Sequence, residues 1–320
     1  MRTLEDLRKL YAQDIAPALY PLERERKRIL RKFISAAAIV VLSMSALAFF
    51  LVPASPNFGV FSLILGAIIL AFVYQWLIKD YTSDFKTAVI QKIVTFIDPG
   101  LAYSKHGKIN RSFFSLSGIF RQRLDKYSGD DHVTGAIGKT RIEFSELYTA
   151  CVERDSRGRR HEKRIFKGLF FMADFNKDFI GKTFVLPDTA ERMFGHVGTL
   201  FQSMNRFRGE LIKLEDVDFE RQFAVYGSDQ IEARYILSTS LMKRILDFQK
   251  KTGKRIYLSF VGSKLFVAIP YGKDLFEPRV FRTILHFDPI KEYFQDLQLA
   301  IGIVEDLNLN TRIWTKQGNR

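Results

Sequence analysis

The sequence has very little cysteine and histidine, and it lacks the common catalytic and metal-binding motifs. Of 320 residues, one is cysteine and five are histidine. A single cysteine, Cys151, excludes an intrachain disulfide and every zinc site of the CxxC type. There is no HExxH and no GxSxG pattern. We therefore expect no cofactor, no metal and no catalytic residue that the sequence alone can identify.

Charge is absent from two long stretches near the N-terminus. Residues 33–52 and 58–78 contain no Asp, Glu, Lys or Arg, and five residues separate them. About 20 apolar residues are needed to cross about 30 Å of hydrocarbon as a helix. Pro53 and Pro56 cannot continue a helix and suit the turn between the runs. The pattern predicts a transmembrane hairpin. It favours this structure over a signal peptide and over a buried hairpin of a soluble protein.

Positive charge flanks the outer ends of this hairpin. Residues 23–32 contain six Lys or Arg, the turn contains none, and Lys79 and Lys86 follow the second run. Because Lys and Arg accumulate on the cytoplasmic side of membrane proteins, the pattern predicts a multi-pass protein with both termini cytoplasmic.

The chain carries a formal net charge of +14, and the excess is distributed. A basic protein beside an anionic leaflet gains from that surface, so the lipid bilayer is one expected partner. A nucleic-acid-binding protein needs a focused basic stripe. The sequence shows none that is convincing, and we expect no nucleic-acid partner.

The sequence divides into four predicted segments. Residues 1–32 form an amphipathic helix and basic flank, with Pro17 and Pro21 expected to interrupt the helix. The transmembrane hairpin occupies 33–78, a juxtamembrane helix 79–98, and a cytoplasmic domain 99–320. In the last segment, strand-like alternation dominates first and helical patterns intervene irregularly. This order predicts an α+β domain with a mainly antiparallel sheet and flanking helices.

Several motifs along this domain resemble a family of bacterial membrane proteins, catalogued as domain of unknown function 3137. They are Gly129–Gly138, Phe144–Glu146, Phe166–Phe171, Asp174–Lys177, Gly181–Thr183, Phe223–Leu237, Leu241–Met242 and Leu307–Trp314. The resemblance covers roughly residue 80 to the C-terminus, and the hairpin placement is similar. It implies a protein of the bacterial inner membrane with a cytoplasmic domain. It implies no catalytic or binding residue.

One cluster combines carboxylates with an imidazole: Asp130, Asp131 and His132. Such a cluster can bind a metal or act as an acid–base pair. Because Gly129 and Gly135 bracket it, a turn is the favoured interpretation.

A second candidate is Asp174, Asn176 and Asp178, which copies the first three ligand positions of a calcium loop. The next position should be glycine and is Phe179, and the twelfth should be glutamate and is Val185. A strand end followed by a turn, with Phe175 and Phe179 buried, is therefore favoured.

Glu232 and Arg234 lie in the densest of the family-like motifs. Being two residues apart, they do not share a helix face. We expect Arg234 to form a structural ion pair with Glu215 or Asp229, with an anion site as the alternative.

These observations leave three hypotheses for function, in descending order. The first is a membrane-anchored binding or scaffold protein that holds a protein partner or a second copy of itself. The second is a protein that interacts with lipid or the membrane surface. The third is an enzyme that acts on a membrane-associated or phosphorylated substrate.

Overall fold

The computed structural model of the chain describes residues 2–51, 56–175, 178–188 and 209–309. The chain forms two compact units. Unit 1 comprises Met1–Phe96 and Phe276–Phe294, and unit 2 comprises Ile97–Leu275 and Gln295–Arg320. The fold is α+β, as predicted, with long apolar helices followed by an antiparallel sheet and further helices.

Unit 1 begins with an almost unbroken helical segment. Helix α1 (Leu4–Leu10) starts at a capping box formed by Thr3 and Asp6, a π-helical turn spans Tyr11–Ile15, and helix α2 runs over Ala16–Leu51. The prediction that prolines interrupt this segment was wrong, because α2 contains Pro21 in its interior. Proline removes one hydrogen bond from a helix. Buried apolar side chains on both sides of it, Leu19 and Leu22, hold the helix in place.

The second apolar run lies in helix α3 (Pro56–Phe85). A π-helical turn (Lys86–Ile90) and helix α4 (Gln91–Ile97) continue it, so the predicted juxtamembrane helix follows without a break. The predicted turn residues from Pro53 to Ser55 lie outside the described residues.

The helical segments Leu4–Leu51 and Gly59–Ile97 are long and apolar enough to cross a membrane. Many of their large apolar side chains are exposed: Ile39, Leu42, Phe49, Phe50, Val60, Phe61, Leu63, Phe72 and Trp76. Large contiguous apolar surfaces are rare on soluble monomers. These helices indicate membrane anchoring.

A buried ion pair joins α2 to a segment more than 250 residues later in the chain. Arg26 donates to Glu23 through Nε (2.8 Å) and Nη2 (2.7 Å) and to the Val280 carbonyl oxygen through Nη1 (2.7 Å). Glu23 also accepts the Ile284 N–H at 3.3 Å. Both side chains are buried. The Arg26 guanidinium holds the pKa of the Glu23 carboxyl below its ordinary value.

Further polar contacts tie the same segment to the helices. The Lys86 ammonium lies 2.8 Å from Glu277, and the Tyr11 hydroxyl donates to the Leu285 carbonyl oxygen. The chain between Glu277 and His286, which has no helix or strand, is therefore held by side chains of three helical turns far from it in sequence.

Unit 2 contains one sheet of nine strands among the described residues, all paired antiparallel in the order β1-β2-β3-β4-β9-β8-β5-β7-β6. The strands are β1 (Ala102–Ser104), β2 (Lys126–Ile137), β3 (Thr140–Arg154), β4 (Arg160–Asp174), β5 (Lys182–Pro187), β6 (Glu210–Leu211), β7 (Phe223–Gly227), β8 (Tyr257–Val261) and β9 (Lys264–Pro270). The helices are α5 (Arg111–Ser117), α6 (Val217–Glu220), α7 (Gln230–Ile236), α8 (Thr239–Thr252) and α9 (Phe287–Asp306), the last of which belongs to both units.

Local signals set most of these elements. Asp229 caps α7, and Gly253 ends α8 in the left-handed conformation that glycine adopts without strain. Strands β8 and β9 form a hairpin around Gly262 and Ser263. Apolar side chains from strands and α5, including Phe114, Phe166, Phe170 and Phe266, pack into an aromatic core.

We predict that Arg26→Met opens unit 1 locally, because it leaves the Glu23 carboxylate buried without its cation. Removing one partner of a buried ion pair costs about 3–5 kcal/mol. The Ile284 amide, which donates to Glu23, should therefore exchange with deuterium at least about 100-fold faster, since about 1.4 kcal/mol corresponds to a factor of ten. Hydrogen exchange of the detergent-solubilised full chain measures this.

Lys27→Met is the matched control, because Lys27 is exposed and lies 3.9 Å from the same carboxylate. An exposed ion pair contributes about 0–1 kcal/mol, so exchange at Ile284 should change little. The double variant Glu23→Gln, Arg26→Met should recover part of the protection. Equal exchange in the Arg26 and Lys27 variants would show that the buried pair does not hold this segment.

Candidate functional site

Three carboxylates meet at an irregularity between strands β2 and β3. The register places Asp130 directly opposite Glu146 and shifts between Asp130 and Val133, which marks a β-bulge. Asp131 sits in the bulge with φ 55°, an uncommon value for a residue with a side chain. The predicted turn over residues 130–132 was wrong, because these residues belong to a strand paired on both sides. The bulge accommodates one extra residue of β2 opposite β3.

The carboxylate oxygens of Asp130, Asp131 and Glu146 lie within 4.8 Å of one another. The Tyr103 hydroxyl donates to Asp131 Oδ1 at 2.5 Å, and the Leu275 N–H donates to Glu146 Oε2 at 2.7 Å. Asp131 and Glu146 are buried. We refer to these three carboxylates as the acidic cluster.

Burial raises the pKa of Glu146 to about 8, and the negative charges of Asp130, Asp274 and Asp131 act in the same direction. The hydrogen bond from Leu275 opposes this shift and is smaller than the effect of burial. Glu146 is therefore largely protonated at neutral pH. A protonated carboxyl between two carboxylates lowers the repulsion among them.

This arrangement can hold a proton or, at higher pH, a divalent cation. Hard cations such as Mg²⁺ and Ca²⁺ prefer oxygen ligands, but their sites usually draw on more than three. The geometry is that of a buried proton-binding group.

His132 turns away from the acidic cluster. Its Nε2 lies 2.8 Å from Glu143 Oε1, which belongs to the neighbouring strand. The structure thus brings Asp130 and Asp131 together with Glu146, and it pairs His132 separately with Glu143.

The second candidate group lies at the end of β4. Asp174 is the last residue of that strand and pairs in register with Lys264, while Asp178 is exposed. Asn176 lies outside the described residues. Phe175 and Phe179 are buried, and their N–H groups donate to the carbonyls of Ser263 and Gly262 in the β8–β9 turn. The backbone of this segment is held by a hairpin turn.

Glu232 and Arg234 both hold backbone in place. The Glu232 carboxylate accepts the N–H groups of Ile180 (3.1 Å) and Gly181 (2.7 Å), which enter β5. Arg234 contacts Gln230 Oε1 and the Lys213 carbonyl oxygen, each at 3.4 Å, in place of the predicted carboxylates. These contacts connect α7 to the segments before β5 and after β6.

Three exposed apolar residues lie near Glu232, two of them on the same helix and one through a backbone hydrogen bond. Ile180 is 96% exposed, Ile231 is 82% exposed, and Tyr235 lies one helical turn after Ile231 with half of its surface exposed. The hydrogen bond from Ile180 to Glu232 brings the loop residue next to the helix. We call Ile180, Ile231 and Tyr235 the α7 patch.

The family model described as a protein of unknown function (DUF3137) matches residues 164–309. This match confirms the resemblance to the family over residues 164–309. The matched residues of DUF3137 include the α7 patch, and they begin after the acidic cluster and the apolar helices.

Comparisons with individual proteins add little. No curated protein sequence matches the chain. Among solved structures, the crystal structure of the mycobacterial trehalose monomycolate transport factor A, TtfA, aligns with a TM-score of 0.29 and 8% identity. The alignment covers 66% of this chain and 94% of that one. A similarity this weak carries no information on the function of the present chain.

Sequence reasoning missed Glu146 and the α7 patch. Glu146 could have been found by counting, because a two-residue turn at Gly138 and Lys139 places it opposite Asp130 in a bulged hairpin. Nothing in the sequence places Ile180 beside α7, since that contact depends on the order of the strands.

We predict that Glu146→Gln stabilises the protein at pH 8 and leaves it unchanged near pH 5. The folded-state pKa of about 8 lies above the unfolded value, so the wild type loses stability as the pH rises from about 4.5 to about 8. Glutamine cannot ionise and removes this loss. Thermal unfolding of the full chain in detergent between pH 5 and 9 measures the difference.

Glu143→Gln is the matched control, because Glu143 lies on the same strand and is paired with His132. It should give no gain in stability at pH 8. Parallel pH profiles for the wild type and Glu146→Gln would contradict the prediction.

Proposed function

We propose that the chain is a membrane-anchored binding protein whose larger unit binds a protein partner or a second copy of the chain. The observation that carries this proposal is the pair of long helices with exposed apolar side chains. Such helices are stable in hydrocarbon, where every backbone group is satisfied within the helix. The proposed location is the inner membrane of a bacterium, which the family resemblance supports.

The proposed orientation rests on charge. Arg28, Arg31 and Lys32 lie on one exposed face of α2, in the last turns before the apolar run. Cations at this position favour the cytoplasmic side. Both termini and unit 2 would then lie in the cytoplasm, with the turn near Asn57 on the opposite side.

The α7 patch supports the binding role of unit 2. A nearly fully exposed isoleucine beside a second exposed isoleucine and a tyrosine gains free energy when a partner covers it. Aromatic and large apolar side chains at the centre of an interface, with charged groups around them, are typical of protein–protein contacts. Here Glu232 and Arg234 supply the charged surroundings.

A second candidate function, interaction with anionic lipid, is favoured by one surface feature. The face formed by Arg28, Arg31 and Lys32 continues into Ser35, Ala36 and Ile39 and forms a shallow groove. Each cation near an anionic leaflet contributes about 1 kcal/mol. Small side chains below the cations leave space for an acyl chain.

We predict that a cysteine at position 57 is labelled in intact spheroplasts and that a cysteine at position 156 is labelled only after lysis. Both positions are exposed, so Asn57→Cys and Ser156→Cys report the side of the membrane. The variants are made in a Cys151→Ala background and treated with an impermeant maleimide. Cys151 itself is a poor reporter, since it is buried and burial raises the pKa of its thiol.

The reversed labelling pattern would show that the orientation is wrong. Labelling of neither position before lysis would show that the hairpin does not cross the membrane.

We predict that Ile180→Ser, Ile231→Ser reduces retention of a protein partner by at least about tenfold. Truncating central apolar residues of an interface commonly costs about 2 kcal/mol or more. The full chain is purified in a gentle detergent, and retained proteins, including a second copy with a different tag, are quantified by mass spectrometry.

Leu116→Ser is the control, because Leu116 is an exposed apolar residue on α5. It should retain the partner at the wild-type level. Equal retention by both variants would remove the α7 patch from the binding surface.

A further inference from the structure

Phe281 is the exposed aromatic side chain of the segment between β9 and α9. It is 63% exposed, although the other large apolar side chains from Leu275 to Ile284, namely Leu275, Phe276, Val280 and Ile284, are buried. The segment around it is fixed by Arg26 and Glu23, which bind Val280 and Ile284 on either side. Phe281 is therefore exposed in a conformation of the chain that these hydrogen bonds fix.

Contacts with two aromatic residues of the apolar helices show where Phe281 lies along those helices. Its ring stacks on Tyr74 with centroids 5.8 Å apart and an interplanar angle of 7°. It also lies edge-on to Phe33 with centroids 6.1 Å apart. Phe33 is the first residue of the first apolar run, and Tyr74 lies in the last turns of the second. Phe281 thus lies at the boundary where both helices change from charged to apolar.

We infer that residues 278–283 form a third membrane-contacting element, with Phe281 inserted at the headgroup level of the leaflet that surrounds Phe33 and Tyr74. This inference rests on the proposed membrane anchoring. Tyr and Trp are enriched at this depth of a bilayer, and Phe beside Lys or Arg is common in segments that lie in the interface with their apolar face at the headgroup and acyl boundary. The three rings form one continuous aromatic group, to which the two helices and the later segment each contribute.

The charges beside Phe281 fit an anionic phospholipid as the contacting molecule. Arg282 follows it and is exposed, and Arg279 is exposed and pairs with Glu292 at 2.6 Å. On α2, Arg31 and Lys32 immediately precede Phe33. An apolar ring between cations can contact the acyl chains at the membrane boundary, while the cations contact the lipid phosphates.

The segment also offers a matched position that should remain in water. His286 is exposed, and its neighbour Leu285 accepts a hydrogen bond from Tyr11. Tyr11 precedes Phe33 by 22 residues, which is about 33 Å along a straight helix. His286 therefore lies nearer to Tyr11, and further from the boundary at Phe33, than Phe281 does.

The test uses spin labels on the full chain in a Cys151→Ala background, reconstituted into vesicles of phosphatidylcholine and phosphatidylglycerol. Single labels are placed by Phe281→Cys, His286→Cys and Ile39→Cys, the last being an exposed position within the apolar run. Accessibility of each label to oxygen and to a water-soluble nickel chelate reports its depth. We expect the oxygen-to-nickel ratio at position 281 to be several-fold above that at 286 and to approach that at 39.

The outcomes separate this inference from the anchoring proposal. A label that reports lipid at 39 and water at 281 would overturn the inference and leave the anchor intact. Water at 39 would overturn both. Lipid at 39, 281 and 286 together would also overturn it, because insertion would then not be specific to Phe281. Thermal unfolding of each labelled protein confirms that the label has not disturbed the fold.

Discussion

Unit 1 depends on the buried ion pair between Glu23 and Arg26. Removing two charges from water is costly, and the cost is offset only where the remaining donors and acceptors also find partners. Here the Val280 carbonyl and the Ile284 N–H complete the pair. One side-chain pair thereby satisfies two backbone polar groups of a segment without helix or strand. That pair joins the N-terminal helix to residues near the end of the chain, so the anchor helices and the later segment form a single unit.

The sequence predicts those elements whose signals are local. Asp229 and Gly253 mark the ends of helices because capping and left-handed φ values are properties of single residues. The Gly262–Ser263 turn fixes the register of its hairpin for the same reason. The apolar helices are predictable because length and absence of charge decide what can cross hydrocarbon. An α+β fold follows from the order of these elements.

Features that depend on distant residues are not predictable in this way. The interruption expected at Pro21 fails because burial of Leu19 and Leu22 outweighs one lost hydrogen bond. The turn expected over residues 130–132 is a bulge within β2, because Asp130 pairs with β3 and His132 pairs with β1. Glu146 joins the acidic cluster through strand register, and its raised pKa follows from burial, which no local pattern reveals.

We propose two different kinds of contact for the exposed apolar side chains of the described residues. Those on α2 and α3 extend along the whole apolar run, and a fluid hydrocarbon can cover such a surface without specific geometry. The α7 patch is small and bordered by Glu232 and Arg234, whose own contacts hold it in one shape. Lipid tails would leave those charged groups poorly solvated, whereas a protein surface can satisfy them with matched polar groups. Phe281 resembles the exposed side chains of α2 and α3, because its ring contacts Phe33 and Tyr74. It differs from the α7 patch because it lies between cations. The chemistry around each exposed group, more than its hydrophobicity, therefore distinguishes a membrane contact from a protein contact.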